Sequence, residues 1–319
     1  MSIKRKISIL GTGNVGASIA YNLTLSGICS EILLVDINKE KAEGEALDLS
    51  QCAAVVPSVK VWDGEYADVV GSDIIVVTFG IARKPGQSRL DLAKVNVGIL
   101  KSVMPTVAKY APDALYVIVS NPVDVLTYTT LKCTNLKPNQ VIGTGTLLDS
   151  NRLVQSIAGY CKVDASNVNA YVFGEHGDSC MAPWSLCTVG GYKLKDYCKN
   201  IMKVDEATID AELETLYSEM VKAGAKVIKA KGATYYAIAA SAVSLIKALC
   251  SDTHTILPLS TLLNGEYGAK DLCTGVPCMV GANGVEKVIE IPITDDEKKV
   301  FGEKIASLNA TFDALEIRN

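Results

Sequence analysis

The sequence has 319 residues, of which 49% are hydrophobic and 21% charged, and its formal net charge is −4 at pH 7. A chain of this length exceeds the size at which a single hydrophobic core usually stops growing, so we expect two lobes. The acidic balance argues against nucleic acid and anionic membranes as partners, because both favour a basic protein surface. No stretch approaches the roughly 18 uninterrupted apolar residues that suggest a membrane helix, and a cytoplasmic protein that binds small molecules is expected.

The ten cysteines are spread along the chain rather than clustered. The closest pairs are Cys273 with Cys278 and Cys180 with Cys187, and neither has the histidine spacing of a structural zinc site. Reduced thiols and no bound metal are therefore predicted.

The first apolar run, at residues 6–10, is followed by Gly11-Thr12-Gly13-Asn14-Val15-Gly16 and then by a helical pattern. A G-x-G-x-x-G turn between a strand and a helix is the context in which this motif binds a dinucleotide. The first glycine permits the turn, the second lets a pyrophosphate approach the backbone, and the third lets helix and strand pack. The helix N-terminus favours the negative charge. The predicted cofactor contacts in this turn are Gly11, Gly13, Asn14, Val15 and Gly16.

The second apolar run, at residues 31–35, ends in Asp36, about 20 residues after the last glycine of the turn. An acid at this point accepts hydrogen bonds from both ribose hydroxyls and repels a 2′-phosphate, and the two residues that follow carry no positive charge. The sequence therefore predicts that Asp36 binds NAD rather than NADP. The alternative is that Asp36 is the N-cap of a helix beginning near Lys39.

Further apolar runs at residues 73–79, 114–119 and 140–142 alternate with helical patterns at 87–109 and 122–131. Strands that alternate with helices are typical of the parallel, doubly wound α/β sheet of a Rossmann fold, which binds ligands at the carboxyl ends of its strands. Asn121 follows one of these ends, and its amide can both donate and accept hydrogen bonds.

The pattern changes after residue 176. Strand-like runs occur around 182–189, 255–262 and 285–291, and helical stretches cover 205–229, 234–249 and 295–315. Runs of strands beside separate helices are typical of an α+β lobe. The sequence therefore predicts an NAD-binding Rossmann domain in residues 1–145, followed by an α+β catalytic and substrate-binding domain in residues 146–319.

Three arginines stand at positions where they could bind an anion, and an acid lies close to one of them in the sequence. Arg83 and Arg89 lie in a loop with glycines near both ends, which suggests a lid that delivers a guanidinium; solvent-exposed loop arginines are the alternative. Asp149 and Arg152 share one helix face at i, i+3 spacing. They form either a surface ion pair or a functional pair, in which the acid orients a histidine and the arginine binds a carboxylate.

His176 is one of only two histidines and lies in the segment YVFGEHGDSC, between glycines and acids. A histidine exchanges a proton near neutral pH, which makes His176 the candidate acid/base; the alternative is a histidine that caps a turn. The other histidine, His254, has no acid motif near it in the sequence and is predicted to be structural.

These motifs together resemble those of the L-lactate/malate dehydrogenase family, in the family's order and spacing and over almost the whole chain. The matching segments are Gly11 to Gly16, Asp36, Arg89, Val119-Ser120-Asn121-Pro122, Asp149 with Arg152, and Gly174-Glu175-His176-Gly177-Asp178-Ser179. The resemblance implies a cytoplasmic enzyme that interconverts a small 2-keto acid and a 2-hydroxy acid with NAD. It also implies a homo-oligomer, since family members commonly form dimers or tetramers.

The resemblance assigns a role to each candidate. His176 would give its proton to the keto oxygen while NADH delivers a hydride, and Asp149 would stabilise the imidazolium. Arg152 would hold the substrate carboxylate, and Arg89 would polarise the carbonyl when the lid closes. Asn121 would help to bind the nicotinamide side of the site.

The residues favour two different substrates. Arg83 stands where lactate enzymes of the family typically carry Gln and malate enzymes carry Arg, and a cation there can pair with the second carboxylate of oxaloacetate. In contrast, Thr234 resembles the lactate enzymes and would line the side of the pocket that holds a small substrate group, and the segments 143–146 and 183–185 also resemble them. Pyruvate and L-lactate are the predicted pair, with malate as the alternative.

Two other functions are alternatives to a lactate or malate dehydrogenase. One is a dehydrogenase for branched 2-keto acids, since the lid is the main specificity element. The other is a non-catalytic NAD-binding redox sensor, which would not need His176, Asp149, Arg152 and Arg89 together.

Val154 and Asn169 stand where family members activated by fructose 1,6-bisphosphate carry an arginine and a histidine, so no such activation is predicted. Phe79 replaces the usual alanine before the lid.

Overall fold

Six parallel strands form one half of the main sheet in the computed structural model, which describes residues 5–81, 88–177 and 179–318. They are β1 (Lys6–Leu10), β2 (Glu31–Val35), β3 (Lys60–Asp63), β4 (Ile74–Val77), β5 (Leu115–Ile118) and β6 (Val141–Gly143). Their order is β3-β2-β1-β4-β5-β6, with every neighbouring pair parallel. The central strands are buried on both faces, which explains their continuous runs of Ile, Val and Leu.

Four helices connect these strands: α1 (Asn14–Ser26), α2 (Lys39–Ser50), α3 (Arg89–Tyr110) and α4 (Val123–Cys133). Helix α3 begins at a capping box, in which the Ser88 hydroxyl accepts the N–H of Asp91 and the Asp91 carboxylate accepts the N–H of Ser88. The predicted doubly wound Rossmann sheet is confirmed.

The second half contributes five helices and eight strands to the described part of the chain. The helices are α5 (Leu147–Cys161), α6 (Leu194–Asn200), α7 (Glu206–Lys231), α8 (Tyr236–Ser251) and α9 (Asp295–Ala314). The strands are β7 (Val168–Asn169), β8 (Phe173–Gly174), β9 (Cys180–Met181), β10 (Thr188–Val189), β11 (Tyr192–Lys193), β12 (Thr255–Asn264), β13 (Lys270–Gly281) and β14 (Gly284–Val288). The predicted α+β character of this half is confirmed.

Antiparallel strands extend the Rossmann sheet into the second half. Strand β12 pairs with β6 through Ser260 and Gly143, and the sheet continues through β13 to β8 and β9. Strands β8 and β9 form a hairpin whose turn contains His176. A separate small sheet is built from β11, β10 and β7.

Several strands were not predicted from the sequence, among them three strands of two residues and the longer strands β13 and β3. Strand β13 contains Gly275 and Pro277, and proline is normally confined to sheet edges, so the run does not resemble a central strand. Strand β3 is an edge strand of four residues with both ends exposed. In both cases pairing with a neighbouring strand, rather than local preference, determines the structure.

The larger hydrophobic core crosses the predicted boundary at residue 145. It contains Leu34 and Val76 of the Rossmann sheet together with Leu259 of β12 and Phe312 of α9. A second core lies among α5, α6 and α7. The proposed division into two domains remains a prediction. None of the helices that the structure describes is long and apolar enough to cross a membrane.

Candidate active site

The glycine-rich turn between β1 and α1 is shaped by close backbone contacts. Gly11 has φ +101°, and a Cβ atom there would lie 2.7 Å from the Phe79 nitrogen. A Cβ atom on Gly16 would lie 1.9 Å from the Gly11 carbonyl oxygen. Gly13 differs, since a Cβ atom there would meet nothing within 4 Å. The first and third glycines are thus required by the protein itself, whereas the second leaves open space at the N-terminus of α1.

Asp36 is held beside this turn at the end of β2. One carboxylate oxygen accepts the N–H of Thr12 at 2.6 Å, and the other accepts the N–H of Asn38 at 2.9 Å. Burial alone would raise the pKa of Asp36, but these hydrogen bonds lower the pKa below its usual value, so the group is ionised at neutral pH. The N-cap of α2 is Asn38, whose side chain accepts the N–H of Lys41. The alternative of Asp36 as the N-cap is therefore wrong.

His176, in the turn of the β8–β9 hairpin, forms a pair with Asp149 of α5. The His176 Nδ1 lies 2.6 Å from an Asp149 carboxylate oxygen. Asp149 is buried in the first turn of α5, where the helix dipole favours a negative charge. Burial lowers the pKa of His176, but the charge and hydrogen bond of Asp149 outweigh it and the pKa is raised. The interpretation of His176 as a turn cap is not supported, because its partner lies 27 residues away.

Arg152 shares the same carboxylate. Its guanidinium lies 3.3 Å from the second oxygen of Asp149. The Arg152 side chain is 17% exposed and that of Asp149 is 3% exposed, so this is not a surface ion pair. Gly224 of α7 faces the guanidinium, and a Cβ atom there would stand 3.5 Å from it. A single buried carboxylate therefore fixes the position of both a histidine and an arginine.

A cleft of about 880 Å³ opens at the carboxyl edge of the sheet. Its lining includes Val15 of the glycine turn, Phe79 after β4, Asn121 after β5 and His176. The structure thus brings together candidate residues from four separate segments. Phe79, which replaces the usual alanine of the family, forms part of the cleft wall.

The structure gives less information about three other candidates. Thr234 is half-buried just before α8, and the described residues that line the cleft do not include it. Arg89 is the first residue of α3, and only its backbone is described. Arg83 lies outside the described residues.

Asp124, in the first turn of α4, is a site residue that the sequence analysis missed. The residue is 1% exposed, and its carboxyl group accepts the backbone N–H of His176 at 2.9 Å. Burial raises the pKa of Asp124 to about 7, although the Ser260 side chain and the His176 N–H act in the opposite direction. The available signal was an acid within the otherwise apolar start of a helix that follows a buried strand.

His254 has an acidic partner that sequence proximity could not reveal. Its Nδ1 lies 2.9 Å from a carboxylate oxygen of Glu286, 32 residues away. Among the described residues, Asp252, His254 and Glu286 bring their ligand atoms within 4.8 Å of one another at the surface. The expectation that no metal is bound stays a prediction. All ten cysteines are free thiols.

The site fits a nicotinamide dinucleotide. Open space at Gly13 leaves room for a pyrophosphate, and the ionised Asp36 stands at the position of a ribose-binding acid. Hydride transfer to a carbonyl also requires a proton donor, and His176 faces the same cleft. Together these features define the class of the protein, an NAD-dependent dehydrogenase.

Comparison with known proteins gives the family. Residues 5–143 match the NAD-binding domain of lactate/malate dehydrogenases, and residues 146–316 match their alpha/beta C-terminal domain. The chain is 42% identical to L-lactate dehydrogenase 1 of Clostridium acetobutylicum, over 99% of this chain and 100% of the relative. It is 44% identical to an L-lactate dehydrogenase of Clostridium botulinum, over 96% and 95% of the two chains.

A solved structure agrees. The ligand-bound minor L-lactate dehydrogenase of Enterococcus mundtii superimposes with a TM-score of 0.93 and 41% identity, and the match covers 98% of each chain. The chain therefore belongs to the lactate/malate dehydrogenase family.

The glycine turn yields the first testable prediction. Gly13→Ala should leave the free energy of unfolding nearly unchanged, because its methyl group meets no protein atom, but should weaken NADH binding at least tenfold by filling the space at the turn. Gly16→Ala should instead destabilise the protein by about 2 kcal/mol or more, because the methyl group collides with the Gly11 carbonyl.

Urea unfolding and titration of NADH fluorescence measure the two effects separately. Gly44→Ala is the control, because Gly44 is an exposed helical residue with equally open space around it. This variant should neither destabilise the protein nor weaken NADH binding. Unchanged NADH affinity in Gly13→Ala would contradict a pyrophosphate site at this turn.

Proposed function

We propose that the protein is an L-lactate dehydrogenase that converts pyruvate, NADH and a proton into L-lactate and NAD. The observation that carries the proposal is the buried Asp149 carboxylate, which contacts both His176 and Arg152. Reduction of a keto acid needs a proton donor beside the carbonyl and a cation for the carboxylate, and these two side chains supply them.

In the proposed mechanism, bound NADH supplies the hydride and His176 supplies the proton. The ring nitrogen Nδ1 faces Asp149, so Nε2 is left to donate to the keto oxygen. Asp149 stabilises the imidazolium before the proton is given up. Arg152 binds the substrate carboxylate with its guanidinium fork, and Arg89 polarises the carbonyl bond.

We further propose that the cofactor is bound by Gly11, Gly13, Asn14, Val15, Gly16 and Asp36, with Asn121 at the nicotinamide side. Asn121 lines the cleft together with His176, which supports a position beside the reacting atoms. Thr234 and Arg83 are proposed to complete the substrate pocket, on the basis of the family resemblance.

The names of the relatives favour pyruvate over oxaloacetate. The two curated relatives described above are L-lactate dehydrogenases, and so is the solved structure. The malate alternative rests on Arg83 alone. Turnover of 2-ketoisocaproate tests the alternative substrate, a branched 2-keto acid.

Steady-state kinetics on both keto acids test the substrate. We expect kcat/KM for pyruvate to exceed that for oxaloacetate at least tenfold, which corresponds to about 1.4 kcal/mol of transition-state stabilisation. Arg83→Gln should then leave pyruvate reduction within a few fold of the original. A preference of the unaltered enzyme for oxaloacetate, lost in Arg83→Gln, would identify a malate dehydrogenase instead.

The raised pKa of His176 predicts a pH dependence. Only the protonated ring can donate, so pyruvate reduction should decline as the pH rises through this pKa, whereas lactate oxidation needs the neutral ring and should increase. Asp149→Asn removes the charge that raises the pKa, so the alkaline limb of pyruvate reduction should move to lower pH by about 1 unit or more.

Profiles of kcat/KM against pH measure this shift. Asp205→Asn is the matched control, because it removes one acidic charge at the exposed N-cap of α7 and asparagine is also a good cap. A profile of Asp149→Asn that coincides with the original would contradict the proposed pairing of His176.

Fructose 1,6-bisphosphate is predicted not to activate the enzyme. Val154 packs against the second core and Asn169 is an exposed residue of β7, so neither provides a cation for a phosphate. Millimolar fructose 1,6-bisphosphate should leave the KM for pyruvate unchanged, and a drop of several fold would show the prediction to be wrong.

A cytoplasmic homo-oligomer is the proposed form of the enzyme. Free thiols throughout the chain suit a reducing compartment. Tyr21 and Leu25 of α1, Leu47 of α2 and Tyr236 of α8 expose large apolar side chains. Light scattering after gel filtration should give a multiple of the 33.9 kDa chain mass, and a mass of one chain would contradict the proposal.

A further inference from the structure

Asn96 of α3 hydrogen-bonds to two backbone segments that line the cleft. Its side-chain oxygen accepts the N–H of Ile81 at 2.9 Å. Its side-chain nitrogen donates to the carbonyl oxygens of Ile81 at 3.3 Å and of Asn121 at 2.7 Å. One amide therefore connects the backbone after β4 with the backbone after β5.

The surroundings of Asn96 favour these hydrogen bonds. The residue is 3% exposed, so its hydrogen bonds do not compete freely with water. Gly80 has φ +148°, and a Cβ atom there would lie 3.2 Å from the Asn96 side-chain oxygen. Glycine at this position lets the amide lie against the backbone of the neighbouring residue.

The three hydrogen bonds use both the acceptor and the donor groups of the amide. Both backbone groups of Ile81 are paired with one side chain, as they would be with a neighbouring strand. The remaining donor hydrogen of the amide reaches Asn121, the residue proposed to contact the nicotinamide side. Deeper in the cleft the Ser120 hydroxyl donates to the Phe79 carbonyl oxygen at 2.6 Å, and Asn96 adds the connection that reaches Ile81 and Asn121.

We propose that Asn96 is a positioning residue, which sets the separation of the 80–81 and 121 segments and so orients Asn121 toward cofactor and substrate. The function of Asn121 in this inference rests on the proposed lactate dehydrogenase reaction. Asn96 acts through backbone groups of other residues, and its contribution is to pre-organise the cleft before ligands bind.

Gln140 provides a control for a purely structural role. It is also a buried amide with three hydrogen bonds: it accepts the N–H of Lys137 and donates to the carbonyl oxygens of Pro112 and Ala114. It lies just before β6, at the amino-terminal edge of the sheet, on the side away from the cleft. Truncation of either residue removes three side-chain hydrogen bonds, but of the two only Asn96 lines the cleft.

The test compares Asn96→Ala, Asn96→Asp and Gln140→Ala with the unaltered enzyme. NADH affinity is measured by fluorescence titration without substrate, kcat and KM with pyruvate, and stability by urea unfolding. We expect both alanine variants to show similar losses in the urea midpoint. Asn96→Ala should weaken NADH binding at least threefold and lower kcat/KM at least tenfold, whereas Gln140→Ala should change each by less than twofold.

Asn96→Asp distinguishes hydrogen-bond donation from side-chain size. It keeps the shape and one acceptor but places an oxygen against the carbonyls of Ile81 and Asn121, so it should lose at least as much activity as the alanine variant. Wild-type behaviour in Asn96→Asp, or equal losses in Asn96→Ala and Gln140→Ala, would overturn the proposal.

Two outcomes of this experiment require a further variant or a different measurement. If Asn96→Ala does not fold, Asn96→Ser is measured against the same thresholds, because its short hydroxyl cannot bridge both segments. If the unaltered enzyme does not reduce pyruvate, the proposed substrate is wrong. The positioning role is then tested by NADH affinity alone, and a loss of less than threefold in Asn96→Ala would contradict it.

Discussion

The proposed active site depends on one buried carboxylate that contacts a histidine and an arginine. Asp149 holds the His176 ring at 2.6 Å and the Arg152 guanidinium at 3.3 Å, and it is nearly inaccessible to solvent. A buried charge of this kind is stable only while it is paired. The proposed proton donor and the proposed carboxylate-binding cation are therefore positioned by the same group, and a substrate anion at Arg152 would compete with Asp149 for it.

The sheet delivers the remaining parts to this pair. Rossmann strands end at the cleft and carry the glycine turn and Asn121, while the β8–β9 hairpin carries His176 to the same edge. The side chains behind the cleft act on its backbone: Asp124 accepts the His176 N–H, and Asn96 connects the two loops. Chemistry at the surface of the cleft thus relies on buried polar groups beneath it.

Local patterns predicted much of this arrangement. The glycine turn, the alternation of strands and helices, and the acid after β2 all reflect short-range constraints, and the sequence predicted them. Strand β13 pairs with β12 just before it, but its glycine and proline conceal it from pattern analysis. The roles of Asp124 and Asn96 depend on partners far away in the chain, so no periodicity or motif indicates them. Asp36 shows the remaining ambiguity, since an acid before a helix resembles a cap until Asn38 is seen in that position.

The larger core has a consequence for how such enzymes can be altered. Because Leu34, Leu259 and Phe312 belong to one continuous apolar interior, neither half can be exchanged for that of a relative without repacking the boundary. The described residues around the cleft contribute less to this interior, although Val15 and Phe79 pack against it. Recombination that aims at new keto acids should therefore transplant loop segments and leave the shared interior intact.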